Sequence, residues 1–346
     1  MPTSRRFASS FLLLMMLAAA LPAALANGLG MPVPVRPAIM AAQGPVTEQL
    51  ISDQRAGSVL FYPIYSSNPT DPITENTRIN ITNINPISSV TVHLTFVDGV
   101  SCTPADATLC LTPSQTMSIT ANDFDPGTMG WIVAVAINSD GCPINYNWLI
   151  GDVFVKLNGG YSANLAAESV PAIAGTDRSP MGGCTAADFI ATLSFDGLQY
   201  ARLPQTLAID NIPSAVDGNS TLVVVINPTG DLRLSANRVG NLFGLMFNDA
   251  EIPSSYVMTS DRCQLKEVLS NTFPRTVPRF RTLIPAGRSG WLKLAAVDGR
   301  ALLGVVINAN PLAGVLSSAF TQGHNMHILS LAPTASLVIP VLSPGC

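Results

Sequence analysis

The sequence predicts an all-β fold: two tandem immunoglobulin-like antiparallel β-sandwich units behind a signal peptide and a Pro-rich leader. Three observations predict it. Apolar and polar residues alternate with a period of two, as in Val90 to Phe96, where Val90, Val92, Leu94 and Phe96 share one face and Thr91, His93 and Thr95 the other. The 27 prolines and 26 glycines punctuate the chain into short segments, with no long amphipathic helix between them. Landmarks also recur in the same order in both halves.

Residues 1–26 read as an export signal. Arg5 and Arg6 supply the positive end, Phe11 to Leu21 the apolar run, and Ala24-Leu25-Ala26 the small residues of a cleavage site before Asn27. Residues 27–56, rich in Pro and Gly, read as an extended leader. The first sandwich unit is placed at 57–180 and the second at 187–346, with the boundary in the Gly-, Pro- and Ser-rich stretch between Gly175 and Ala187.

Within the first unit, Trp131 to Ile137 is a continuous apolar run closed by the turn Asn138 to Pro143, and Tyr146 to Leu157 reads as a return strand. The second unit echoes these features. Asn80 to Pro86 is matched by Leu222 to Pro228, and Gly130-Trp131 by Gly290-Trp291. The alternating stretch from Val90, which ends near Cys102, is matched by one from Leu232, which ends near Cys263. The strand after Trp291 meets Asp298-Gly299, a hairpin dipeptide, and returns from Ala301 to Asn308. Both tryptophans are expected as core anchors.

Segments Thr77 to Asn83 (TRINITN), Val92 to Gly99 (VHLTFVDG), Gly130 to Ala136 (GWIVAVA) and Asn147 to Asp152 (NWLIGD) resemble stretches of exported bacterial β-rich proteins of no established function. So do Phe195 to Gly197 and Ala208 to Pro213. The resemblance implies export and a β-rich fold, and it transfers no catalytic residue.

Charge narrows the function. Charged residues make up only 12% of the chain, and the net charge is −4. Removing Arg5 and Arg6 leaves 16 basic against 22 acidic residues, or −6. Such a chain is too hydrophobic for intrinsic disorder and too acidic for a nucleic-acid partner. Outside the signal, no apolar stretch is long enough for a transmembrane span.

Cys102, Cys110, Cys142, Cys184, Cys263 and Cys346 all lie in the exported part. An even count in an oxidising compartment reads as up to three disulfides with 15 possible pairings. Close spacing favours Cys102–Cys110, with Cys142–Cys184 and Cys263–Cys346 as the remainder.

Candidate sites are few. His324 and His327, with Met326 between them, could hold copper or zinc if a further ligand joined them. Asn122, Asp123 and Asp125 gather oxygen ligands in a loop suited to calcium, although the same residues form ordinary turns. No cofactor is expected apart from this candidate calcium. His93 reads as a residue of a solvated strand face. Arg275, Arg279, Arg281, Arg288, Lys293 and Arg300 face only Asp298 over residues 275–300, a local balance of +5 that could meet an anionic partner. Motifs for nucleophilic serine, phosphate-binding loops and paired metal-protease histidines are missing.

These observations favour a non-catalytic exported structural or cell-surface protein, in the periplasm or outside the cell, working through its β surfaces by self-association, adhesion or binding of a protein partner. A carbohydrate-binding module gripping polysaccharide is one alternative, and a secreted hydrolase with an unrecognised site is another.

Overall fold

Strands dominate because the chain alternates or runs apolar over short stretches and is broken by Pro and Gly before a helix can form. The computed structural model describes residues 51–310 and 321–345, and 52% of these residues are strand and 5% helix. The expected signal peptide, residues 27–50 of the leader and Cys346 lie outside the described residues.

The first half comprises β1 (Val59–Ser66), β2 (Asn76–Asn83), β3 (Val90–Asp98), β4 (Pro104–Leu111) and β5 (Thr116–Thr120). After the short helix α1 (Ala121–Phe124) come β6 (Met129–Ile137), β7 (Leu149–Leu157), β8 (Tyr161–Ala166) and β9 (Glu168–Val170). The Gly175–Ala187 stretch separates these from β10 (Ile190–Ser194) and β11 (Pro204–Pro213). Then follow β12 (Ser220–Ile226), β13 (Gly230–Asp231), β14 (Gly240–Asn248), β15 (Pro253–Ser260) and β16 (Gln264–Val268). Helix α2 (Phe280–Leu283) precedes β17 (Ser289–Ala296), β18 (Leu303–Ala309), β19 (Thr321–Asn325), β20 (His327–Leu331) and β21 (Ser336–Pro340).

These strands form five sheets, the blade count of a five-bladed propeller, in place of the two tandem immunoglobulin-like sandwiches expected. Their order is not a simple meander. One sheet runs β4-β3-β6-β1-β9, and another runs β15-β14-β17-β11-β20, the same order position by position. The sheets β5-β2-β7-β8 and β16-β12-β18-β19 match in the same way. Even the irregularity recurs: β1 slips register against β6 between Tyr62 and Tyr65, and β11 against β17 between Ile209 and Ile212. The fifth sheet, β10-β21-β13, has no counterpart. Among the described residues the strand pairings are antiparallel except that of β13 with β21.

Apolar alternation places the cores. Leu60, Tyr62, Val92, Leu94 and Phe96 of the β4-to-β9 sheet pack against Ile79, Ile81, Val153 and Val155 of the β5-to-β8 sheet. Leu222, Val224, Val305 and Ile307 of the second half join this same cluster. Another cluster sets Leu207, Ile209, Leu242 and Leu294 against Val223, Val225 and Val306. The third buries the opposite face of the first sheet, with Val59, Phe61, Trp131, Val133 and Val135, under Leu193, Phe195, Leu337 and Ile339 of the fifth sheet and its flanks. Two of the three cores therefore draw on both halves, and the described residues cluster as one compact unit.

Sharing of cores corrects several expectations. His93 is buried, not solvated, because the second face of its sheet is covered; its Nε2 lies 2.8 Å from Asp106 Oδ1. Trp131 is a fully buried anchor, whereas Trp291 is half-buried and stacks on Phe247 with ring centroids 4.3 Å apart. The strand equivalent to β3 is β14, not the segment from Leu232, which is a short 3-10 turn. Asp298-Gly299 turns the chain from one sheet to another, β17 to β18, and makes no hairpin.

Disulfides follow the same logic. Cys142–Cys184 forms as expected. Cys102 pairs with Cys263, with Cα atoms 5.4 Å apart, so the Cys102–Cys110 and Cys263–Cys346 pairings are corrected. Cys110 is disulfide-bonded elsewhere. The Cys102–Cys263 bridge spans 161 residues and ties the β3–β4 turn to the β15–β16 connection. Beside it, buried Gln264 donates from Nε2 to the carbonyls of Pro63 (2.8 Å) and Gly130 (2.6 Å). Gly130 is required there, because a Cβ would sit 1.8 Å from the Val97 carbonyl oxygen.

Candidate metal centre

The histidine pair lies where three strands converge. His324 is on β19, next to buried Asn325, and His327 opens β20, which pairs with β11 at Ala208. The third member, Asp210, comes from β11. His324 Nε2 is 3.5 Å from Asp210 Oδ1, and His327 Nε2 is 3.3 Å from Asp210 Oδ2. The ligand atoms of all three residues lie within 4.8 Å of one another. All three side chains keep solvent contact, at 38% exposure for His324, 55% for His327 and 60% for Asp210.

Backbone packing fixes this arrangement. β19 is the edge of its sheet and lies against β8: the Thr321 hydroxyl accepts from Ser162 N at 3.0 Å and donates to Ser162 O at 2.8 Å. Gly323 allows the approach, since a Cβ there would stand 2.8 Å from Ala163 Cβ. Asn325 Nδ2 then donates to Ala166 O at 2.9 Å, which carries the hold on to the neighbouring histidines.

The tautomer of His324 follows from its partner. Its Nδ1 lies 2.8 Å from the Asn325 carbonyl oxygen, which can only accept, so Nδ1 carries the proton. Nε2 is then the ring atom that faces the Asp210 carboxylate. Burial works to raise the Asp210 carboxyl, but the hydrogen bond from His327 and the nearby imidazoles outweigh it and hold it below the ordinary carboxylate range. Met326 points the other way: it is buried, and its sulfur packs against Gly304.

These groups line a cleft of about 380 Å³ together with Asp53, Gln54 and Glu168. Glu168, on β9, is only 5% exposed. Burial first, and the negative charge of Asp53 second, push its carboxyl up to about 8. Asn325 Oδ1, in the same wall, is buried without a hydrogen-bond partner. Asp210 and Glu168 escape a motif search because they stand far from the histidines in sequence. Their one signal is an acid directly after a short apolar run, as in Leu207-Ala-Ile-Asp210 and Leu165-Ala-Ala-Glu168.

The other candidates fare differently. The Asp125 carboxylate accepts hydroxyl hydrogen bonds from Tyr65 and, at 2.5 Å, from Thr128, while Asp123 accepts from Thr120 at 2.7 Å. The carboxylates near Asn122 thus anchor the α1 loop to β1 by hydrogen bonds. The basic segment is spread out. Arg279 donates to the Asn271 carbonyl and the Arg281 backbone N–H to the Asn271 side chain, and Arg275 is exposed in the same connection. Arg288 pairs with Asp249 at 2.9 Å, and Arg300 pairs with Asp298. Those two arginines lie beyond opposite ends of β17, with Lys293 exposed between them.

No protein-family model and no curated protein matches this chain.

Proposed function

We propose that this protein is an exported, non-catalytic β protein that works through its surfaces by pairing with copies of itself or with a protein partner. One observation carries the reading. β15 is an eight-residue edge strand, and among the described residues no other strand pairs with its outer side. Pro253 to Ser260 contains no charged residue, and Val257 is 67% exposed. Edge strands of this length ordinarily carry a lysine, a bulge or a central proline that blocks pairing, and the only such guard here is Pro253 at the first position. A duplicated unit with shared cores and a disulfide between its halves supplies a rigid frame for that edge. The disulfides, and the absence among the described residues of a helix long and apolar enough to cross a membrane, accord with export.

Light scattering of the mature chain over a concentration series, with electron microscopy of the same material, tests this. The expected result is concentration-dependent assembly that Val257→Lys reduces without changing the circular dichroism spectrum. A wild-type chain that remains monomeric at every concentration, with no filaments, contradicts self-assembly. The carbohydrate-binding alternative loses support from the basic segment, because two of its six cations are neutralised by aspartates.

A further inference from the structure

We propose that Asp210, His324 and His327 form a binding site for a divalent transition-metal ion of the zinc class. The proposal is independent of the edge-strand reading. Zinc–nitrogen and zinc–oxygen bonds of about 2.0–2.2 Å place ligand atoms around one ion about 3–4 Å apart. Two of the separations here, 3.3 and 3.5 Å, already fall in that range. The whole set lies within 4.8 Å, so modest rotation of exposed side chains closes it.

The second argument is chemical. His324 Nδ1 is engaged by the Asn325 carbonyl, so Nε2 is the ring atom left to face a carboxylate oxygen 3.5 Å away. A backbone carbonyl on the far nitrogen is also the usual partner that orients a metal-ligating imidazole. Two imidazoles and one carboxylate suit zinc, cobalt or nickel, whereas calcium and magnesium favour all-oxygen sets. Met326 faces the core, so the thioether expected for a copper(I) site is absent from the ligand set.

The surroundings fit a cation as well. Asp53 lines the same cleft and adds an acidic group at its wall. Three protein ligands leave at least one coordination position open toward the cleft, where water or a donor atom from a partner can enter.

The test uses the untagged, disulfide-intact mature chain. Calorimetric titration with zinc chloride is expected to show one equivalent bound, and magnesium or calcium chloride none. In imidazole ¹H–¹⁵N spectra, zinc should shift the Nε2 resonances of His324 and His327 and leave those of buried His93 in place. Asp210→Asn and His327→Gln should each weaken zinc binding about ten-fold or more, since loss of even an outer partner costs that much. Both side chains are more than half exposed, so both variants should fold, which circular dichroism checks. Absence of saturable zinc binding overturns the proposal. Binding with unchanged affinity in both variants, or without shifts at His324 and His327, overturns it equally.

Discussion

Replacing Glu168 with glutamine should change how stability depends on pH, and the size of the effect can be worked out. Glu168 is buried in the wall of the cleft, and burial with the Asp53 charge raises its carboxyl from 4.5 to about 8. Between those values the folded chain holds a proton that the unfolded chain has lost. Its contribution to stability is therefore fully present below about pH 4.5, declines as pH rises, and is gone above about 8. At 1.36 kcal/mol per pH decade, the 2.5 decades from pH 5.5 to 8 correspond to about 3 kcal/mol. Glutamine keeps the volume and cannot ionise, so Glu168→Gln should flatten this dependence. Urea denaturation with chelator present, at pH 5.5 and pH 9, compares the two chains. The variant should gain about 3 kcal/mol on the wild type between the two conditions. A difference that does not change with pH refutes the buried, protonated carboxyl.

Two further outcomes follow from contacts between and within the halves. Gln264→Ala strips the Pro63 and Gly130 carbonyls of a buried donor, and should cost about 1–3 kcal/mol in denaturant unfolding; an unchanged midpoint would show that the halves do not depend on this plug. His93→Ala opens a cavity and leaves Asp106 without its imidazole, for a loss of about 2–4 kcal/mol, whereas a solvated strand residue would change stability by about 0.5 kcal/mol or less.

The duplication was legible in the sequence because its landmarks are strand-forming and locally constrained. Asn80 to Pro86 and Leu222 to Pro228 fall on β2 and β12, and Gly130-Trp131 and Gly290-Trp291 on β6 and β17. What escaped depends on partners distant in the chain. Alternation around His93 implies one wet face, but a strand pattern cannot reveal that β10 and β21 come back to cover it. Nor can spacing alone pair cysteines: Cys102 and Cys110 are close in sequence, yet the β3–β4 turn points its cysteine at the β15–β16 connection. The metal candidate was half visible. Two histidines three apart signal a pair, while Asp210 joins them only through the pairing of β11 with β20.

That the described residues form one body of two interlocked β units rests most directly on their disulfides. Non-reducing proteolysis of the protein purified from its native source, with mass spectrometry of the linked peptides, reads them without any assumption about function. The account predicts a peptide joining Cys102 to Cys263 and another joining Cys142 to Cys184. A peptide joining Cys102 to Cys110, or reduced cysteines throughout, would contradict it.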